Sequence, residues 1–157
     1  MELLSLLNKY HLHVSTAESC TGGLVAAKLC DISGISAFFE EGYITYSENA
    51  KMRNLGVLKE SLKSFGVVSE EVAAEMAKGA ALRSGSECGI STTGVAGPTG
   101  GTEKTPVGTV CFGCYVKGTI VTDTMIFDGN REFVRQQAAQ YALTFLYNTI
   151  SEVMLCE

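Results

Sequence analysis

Small hydroxyl residues and glycines follow one another at residues 15–23, in the order Ser-Thr-Ala-Glu-Ser-Cys-Thr-Gly-Gly. The pattern predicts a short strand that ends in a sharp turn and leads into a helix at about residues 20–30. The first backbone N–H groups of a helix have no partner within it and carry the positive end of its dipole. At such a turn Ser19 could bind an anion, or attack a carbonyl while the amides at residues 20–22 stabilise the oxyanion. The alternative interpretation is an ordinary helix cap, since serine and threonine are common there.

A second candidate element is the glycine-rich segment at residues 93–106, which holds four glycines and both prolines of the chain. This composition predicts a loop, and long loops inside compact domains are usually functional or disordered. The loop follows a predicted strand, where open α/β sheets place their ligands. It does not match a phosphate-binding P-loop, because Lys104 follows Glu103 rather than glycine and a strand follows instead of a helix. A nucleoside triphosphatase or kinase is therefore disfavoured.

Lys51 is the third candidate, because it lies about one turn into a helix that begins where the second predicted strand ends. Proximity to helix N-termini and partial desolvation would both lower its pKa, which suits a general base for a serine. The alternative is an ordinary solvated surface lysine. Neither His11 nor His13 follows a catalytic-type turn, which argues against a Ser–His–Asp triad. Cys20 could replace Ser19 as the nucleophile, but a catalytic thiolate usually has a histidine partner, so serine is favoured.

The composition predicts one globular domain over residues 1–157, because apolar residues make up 46% of the chain and charged residues 18%. No apolar run approaches the roughly 20 residues of a membrane helix. Residues 1–7 predict a short helix and lack the basic flank and the cleavage site of a signal peptide. We therefore expect a cytoplasmic protein that does not act at a membrane. The net charge of −5 argues against a nucleic-acid surface but leaves a small anionic substrate open.

Six cysteines are scattered along the chain, and Cys111 and Cys114 have the spacing of a zinc or redox pair. They fall in a predicted strand, where positions i and i+3 point to opposite faces of the sheet. No second pair accompanies them, and the chain has two histidines. We therefore expect no metal and no redox cofactor, and free thiols in a reducing compartment.

Strands and helices alternate along the chain. Strands are predicted at residues 14–17, 38–46, 88–92, 107–116 and 119–127, and helices at the N-terminus, at 20–30, 48–55 and 70–83, and from about 130 onwards. The last two strands are joined as a hairpin at Lys117 and Gly118. This order predicts an α/β fold, a three-layer α/β/α sandwich whose sheet is mixed, mostly parallel and contains one hairpin.

Five segments of the chain form an ordered set that spans nearly its whole length. They are Thr-Ala-Glu-Ser-Cys-Thr-Gly-Gly at 16–23, Gly-Tyr-Ile-Thr-Tyr-Ser at 42–47 with Ala-Lys at 50–51, Thr-Gly-Val-Ala-Gly-Pro at 93–98, Pro-Val-Gly-Thr-Val at 106–110, and Gly-Asn-Arg at 129–131 with Arg135. Together they resemble the nicotinamide-nucleotide amidase family, also known as the C-terminal domain of the competence/damage-inducible protein CinA. The chain departs from the family at Glu48, where asparagine is usual, and at an extra threonine between Lys104 and Pro106. The resemblance therefore assigns no role to Glu48, Glu103 or Lys104.

The resemblance implies hydrolysis of the carboxamide of nicotinamide mononucleotide, giving nicotinate mononucleotide and ammonia, without a cofactor. It implies Ser19 as the nucleophile, with Lys51 and Tyr46 as its activating partners. The remaining candidates would bind the substrate: the amides of Cys20, Thr21 and Gly22, the loop residues Thr93, Gly94, Ala96 and Gly97, and Arg131 or Arg135 as counter-charges for a phosphate.

The expected partner is a small nucleotide, and a homo-oligomer is compatible with this reading. Because the chain begins directly at the predicted first helix, it resembles the stand-alone form of the family rather than the form with an additional N-terminal domain. The alternative function is a binding module that holds a nucleotide for a regulatory or competence-linked partner without turnover.

Overall fold

The computed structural model describes residues 2–156, so Met1 and Glu157, the two ends of the predicted domain, lie outside the described residues. The elements follow one another in this order: α1 (Glu2–Tyr10), β1 (Val14–Glu18), α2 (Leu24–Cys30), a 3₁₀ turn (Ile35–Ala37), β2 (Phe39–Ile44), α3 (Glu48–Leu55), α4 (Lys59–Phe65), α5 (Glu70–Ser84), β3 (Cys88–Gly94), β4 (Thr109–Val116), β5 (Thr119–Ile126) and α6 (Arg131–Leu155).

One five-stranded sheet in the order β2-β1-β3-β4-β5 forms the middle layer. Strand β1 pairs in parallel with β2 and β3, whereas β4 is antiparallel to β3 and β5, so four of the five strands run in one direction. Strands β4 and β5 form the predicted hairpin at Lys117 and Gly118, both of which have the positive φ that a tight two-residue hairpin turn requires. The predicted mixed, mostly parallel sheet is confirmed.

Helices cover both faces of this sheet. Helices α1, α2 and α6 pack on one face around side chains such as Leu7, Leu29 and Leu146. Helices α3, α4 and α5 pack on the other face, where Leu55 and Met76 belong to a second core. Because side chains alternate along a strand, β1 and β2 contribute to both cores: Val14 and Phe39 to the first, Ala17 and Tyr43 to the second. The predicted three-layer α/β/α sandwich is confirmed.

Two glycines allow α5 to lie close against the sheet. A Cβ at Gly89 would lie 2.1 Å from the Ala77 carbonyl oxygen, and one at Gly113 would lie 2.3 Å from the Ala73 carbonyl oxygen. Such contacts would force the helix away, so only glycine permits this approach. Ser91, which lies on β3, donates a hydrogen bond to the same Ala73 carbonyl at 2.6 Å. This close contact fixes α5 on the sheet, and α5 belongs to the helical layer that borders the carboxyl ends of β1 and β3.

The bounds of α2, β3 and β4 differ from those predicted from the sequence. Helix α2 begins at Leu24 rather than near residue 20, because Gly22 and Gly23 have φ values of 56° and 105°, outside the right-handed helical region. Strand β3 extends to Gly94, so Thr93 and Gly94 end a strand rather than open the loop. The following strand, β4, begins at residue 109, two residues later than expected.

The sequence pattern predicts neither the 3₁₀ turn at Ile35–Ala37 nor helix α4. Helix α4 has seven residues, and its N-cap residue Leu58 makes no side-chain capping hydrogen bond. The cap comes instead from Glu75 of α5, whose carboxylate accepts hydrogen bonds from the Leu58 N–H at 2.9 Å and the Ser61 hydroxyl at 2.5 Å. Because this cap is a contact between two separate helices, the residues of α4 carry no local sequence pattern that predicts it.

Within residues 2–156, no helix combines the length and the apolar character that crossing a membrane requires. All six cysteines are free. Cys114 belongs to the core under α6, whereas the Cys111 sulfur lies 3.5 Å from the Thr124 hydroxyl. In the same described range, no three histidine, cysteine or acidic side chains form a group that could hold a metal ion.

Candidate active site

The carboxyl ends of three parallel strands bring Ser19 and Lys51 together. Ser19 follows the last residue of β1, and Lys51 lies in the first turns of α3, which follows β2. The Ser47 hydroxyl caps this helix by accepting a hydrogen bond from the Ala50 N–H at 3.0 Å. The Lys51 side chain then reaches back across the end of β2, so that its Nζ lies 2.9 Å from Ser19 Oγ in a hydrogen bond.

Three acceptors surround the Lys51 amine. Besides Ser19 Oγ, Nζ donates hydrogen bonds to the carbonyl oxygens of Thr45 at 2.7 Å and Tyr46 at 3.4 Å. An ammonium group can satisfy all three acceptors at once. A neutral amine has two N–H donors and one lone pair, so the two carbonyls can hold the donors while the lone pair accepts the proton of Ser19. The geometry therefore suits a base directed at the serine.

Burial allows an appreciable fraction of Lys51 to be uncharged near neutral pH. Lys51 is 0% exposed, and this desolvation lowers its pKa to about 8, although the Glu48 carboxylate opposes the shift. Roughly a tenth of such lysines is neutral at pH 7, against fewer than about one in a thousand for an exposed lysine. Within residues 2–156, no carboxylate lies within ion-pair distance of Nζ. A solvated surface lysine, the alternative considered from the sequence, is wrong for this position.

The expected role of the α2 N-terminus is also wrong. The buried carboxylate of Glu18 accepts hydrogen bonds from the N–H groups of Val25 at 2.8 Å and Ala26 at 3.1 Å, which are the first free donors of the helix. A helix end capped by a carboxylate no longer offers its dipole to an outside anion. The sequence prediction assigns Glu18 no role, although an acidic residue before a helix is a recognisable capping signal.

The Thr21 side chain and the Gly22 amide, both at positions predicted to contact the substrate, are engaged within the turn. The Thr21 hydroxyl is fully buried, donates to Glu18 Oε1 at 2.6 Å and lies 2.7 Å from the Thr92 hydroxyl. The Gly22 N–H donates to the Ser19 carbonyl at 3.0 Å, so this amide is unavailable for an oxyanion. The amides of Cys20 and Thr21 make no hydrogen bond to backbone in the described chain. Of the three predicted oxyanion donors, these two remain candidates.

Cys20 lines the site but is poorly suited to be its nucleophile. Burial raises the pKa of its thiol to about 12, and the side chain is 6% exposed. A thiol that stays protonated at neutral pH is a weak nucleophile, because the thiolate is the reactive form. Ser19, with an amine within hydrogen-bond distance, is the better placed of the two neighbours.

A cavity of about 320 Å³ opens beside Ser19. It lies between the turn after β1, the segment before α5, the end of β3 with the glycine-rich loop, and the start of α6. The residues that line it are Ser19, Cys20, Tyr46, Val67, Val68, Thr93, Gly94, Val95, Ala96, Gly97, Thr99, Gly100 and Arg131. All four predicted loop residues lie here, whereas Val67 and Val68 carried no sequence signal. The Thr93 hydroxyl donates to the Val67 carbonyl at 2.8 Å, which joins these two walls.

Arg131 is the cation of this cavity. Its Nη1 donates a hydrogen bond to the Gly97 carbonyl at 2.9 Å, and its Nη2 donates to the Tyr46 hydroxyl at 3.1 Å. The Tyr46 phenol is therefore engaged with Arg131, and only the Tyr46 backbone carbonyl faces Lys51. Tyr46, which the resemblance implies as an activating partner of Ser19, can orient the Lys51 amine through its backbone carbonyl, whereas its phenol contacts Arg131.

Arg135, the other predicted counter-charge, does not line the cavity. Its Nε donates to the Cys20 carbonyl at 3.0 Å and its Nη2 donates to the Thr21 carbonyl at 3.1 Å. Its guanidinium thus contacts the turn that carries Ser19 from the side of α6.

The loop residues Glu103 and Lys104 are exposed and do not line the cavity, and Glu48 is exposed at the start of α3.

Comparisons with known proteins find related sequences and related structures. The family model described as the CinA C-terminal domain matches residues 1–150. A CinA-like protein from Kosmotoga olearia is 51% identical over 144 residues, which are 92% of this chain and 35% of that protein. The chain thus spans about a third of the length of the curated relatives it matches.

Solved structures show the same fold. The competence damage-inducible protein A from Klebsiella pneumoniae superposes with a TM-score of 0.91 at 38% identity, covering 96% of this chain and 93% of that one. A competence-damaged protein (CinA) superfamily protein from Escherichia coli superposes with a TM-score of 0.88 at 42% identity, covering 92% of this chain and 84% of that one.

Burial of Lys51 predicts a pH-dependent stability. The unfolded chain holds this proton up to its ordinary pKa of 10.5, whereas the folded protein releases it near pH 8. Between these values the unfolded state binds more protons, so the free energy of unfolding should rise with pH, by about 1 kcal/mol per pH unit. Urea unfolding at pH 7 to 10 should show the wild type gaining stability relative to Lys51→Met. The exposed Lys63→Met variant controls for the lost charge, and a pH-independent difference between wild type and Lys51→Met would contradict the assignment.

Proposed function

The chain belongs to the CinA C-terminal domain family, and from this membership and the Ser19–Lys51 hydrogen bond we propose that it is a nicotinamide-nucleotide amidase. The substrate is nicotinamide mononucleotide, and the products are nicotinate mononucleotide and ammonia. The observation that carries the proposal is the buried amine, which has no carboxylate partner among the described residues and lies 2.9 Å from a serine hydroxyl at the edge of a cavity. A module that only binds a nucleotide would not require such a serine–lysine pair.

In the proposed mechanism, the neutral Lys51 amine accepts the proton of Ser19 while Ser19 Oγ attacks the carboxamide carbon. The tetrahedral intermediate collapses as Lys51 returns this proton to the leaving nitrogen, so ammonia departs and an ester to Ser19 remains. Lys51 then accepts a proton from a water molecule as the water oxygen attacks the ester carbon. The second tetrahedral intermediate collapses as Lys51 returns this proton to Ser19 Oγ, which restores the hydroxyl and the neutral amine, and the released acid loses its proton to solvent as the carboxylate. The carbonyls of Thr45 and Tyr46 hold the amine in one orientation through both steps.

The turn and the cavity supply the remaining requirements. The unpaired amides of Cys20 and Thr21 are the candidate donors to the oxyanion, which forms next to the attacked carbon. A cavity of about 320 Å³ falls at the lower end of the range of small-molecule sites, roughly 300–1,000 Å³. Arg131 at its rim offers positive charge to a phosphate in a protein whose net charge is −5.

Ser19→Ala tests the nucleophile. We expect ammonia release from nicotinamide mononucleotide to fall by about three orders of magnitude or more, because the covalent route is lost. Cys20→Ala is the matched control at the neighbouring position and should keep most of the activity. Full activity in Ser19→Ala with loss in Cys20→Ala would reverse the assignment. Binding of the nucleotide by the wild type without any ammonia release would favour the binding module instead.

The Lys51→Arg variant tests whether Lys51 acts as a base or only supplies a positive charge. Guanidinium keeps the positive charge but does not deprotonate in proteins, so we expect kcat to fall almost as far as in Lys51→Ala, with a smaller change in KM. In the wild type, kcat/KM should rise with pH around an apparent pKa of about 8, as the amine loses its proton. Near-normal turnover in Lys51→Arg would mean that another group is the base.

Arg131→Met tests the phosphate contact. We expect KM for nicotinamide mononucleotide to rise about tenfold or more, since a charge-assisted hydrogen bond is lost. The same variant should change KM for nicotinamide riboside, which lacks the phosphate, much less. Arg53→Met removes an exposed arginine outside the cavity and controls for net charge. Equal effects on both substrates would show that Arg131 acts through the structure of the rim.

A further inference from the structure

The turn that carries Ser19 has little regular structure to hold it. Strand β1 ends at Glu18 and α2 begins at Leu24, so Ser19 to Gly23 lie between the two elements. The Ser19 N–H donates to the Thr92 carbonyl at 3.0 Å, and the Gly22 N–H donates back to the Ser19 carbonyl. Two of the five residues are glycines with positive φ, which adds conformational freedom to the unfolded and partly open states. Other contacts must fix the position of Ser19.

Arg135 supplies such a contact from α6. Its Nε and Nη2 donate to the carbonyl oxygens of two successive residues, Cys20 at 3.0 Å and Thr21 at 3.1 Å. Because the guanidinium group is planar and rigid, a pair of donors fixes the direction of both carbonyls rather than only their distance. Directing these carbonyls toward α6 also directs the peptide groups on both sides of Thr21, two residues after Ser19.

Glu18 holds the same turn from its inner side. Its carboxylate accepts the Thr21 hydroxyl at 2.6 Å and two N–H groups of α2. Thr21 is therefore bound through its hydroxyl on one side and through its carbonyl on the other. A Cβ at residue 22 would lie 3.1 Å from Arg135 Nη2, so the glycine there leaves the guanidinium room to reach the turn.

We propose that Arg135 is a positioning residue, which holds the turn after β1 so that Ser19 Oγ stays within hydrogen-bond distance of Lys51 Nζ. The kinetic consequence rests on the proposed amidase function, whereas the structural consequence does not. Arg135 does not touch the cavity, so it acts through the carbonyls of Cys20 and Thr21 and not on the substrate.

Kinetics of Arg135 variants test the proposal. In Arg135→Met we expect kcat for nicotinamide mononucleotide to fall about 100-fold, as a displacement of about 1 Å can cause, with KM within about threefold of the wild type. Arg135→Lys keeps one charged donor and should lose less. Gln140→Met, at an exposed position of the same helix, should behave as the wild type. A rise in KM for the mononucleotide but not the riboside, with kcat unchanged, would instead assign Arg135 to the phosphate and overturn the proposal.

Crystal structures of the two variants give a readout that does not depend on turnover. We expect the distance between Ser19 Oγ and Lys51 Nζ to exceed 3.5 Å in Arg135→Met and to be restored in part in Arg135→Lys. An unchanged distance of 2.9 Å would overturn the proposal even if activity were lost. If Arg135→Met does not fold, the distance in Arg135→Lys decides. If the wild type releases no ammonia, the proposed function fails while this distance still tests the role of Arg135.

Discussion

The burial of one amine without a carboxylate partner is the constraint on which the site depends. A charged lysine in such a place is unfavourable, and the folded protein lowers this cost by releasing the proton near pH 8. The three acceptors around Lys51 compensate the remaining charged form. The same burial that reduces stability below pH 8 makes the amine a usable base at neutral pH. Stability and reactivity are here set by one desolvated group.

The sheet topology explains why this amine meets a serine. Parallel pairing of β1 with β2 and β3 places three strand ends at one edge of the sheet. The turn after β1, the helix after β2 and the loop after β3 therefore surround one volume, to which α6 adds Arg131. Close packing of α5 through Gly89 and Gly113 sets the wall formed by residues 67–68. The helices of both layers contribute to the site without supplying its nucleophile.

The sequence predicts the layers and most of the elements because alternating strands, helix caps and glycine-rich turns are local signals. The proximity of Ser19 to Lys51 also follows, since ends of neighbouring parallel strands meet. Other features depend on contacts between distant segments. Helix α4 is capped by Glu75, Tyr46 is held by Arg131, and Arg135 binds the turn after β1. The true start of α2 could have been placed from Gly22 and Gly23, which disfavour a helix, but the hydroxyl residues before them suggested an earlier one.

Strand alternation keeps Glu18 and Lys51 apart although Glu18 is bonded to Ser19. Successive side chains of β1 point to opposite faces of the sheet: Glu18 faces α2, where it accepts two helix N–H groups, and Ser19 faces α3, where it accepts from Lys51. A carboxylate on the α3 face would pair with the amine and raise its pKa, which would remove the base. The Glu18 carboxylate therefore holds the turn through Thr21 and the N-terminus of α2 and makes no ion pair with Lys51. Placing acid and amine on opposite faces allows one short segment to be both rigidly held and reactive.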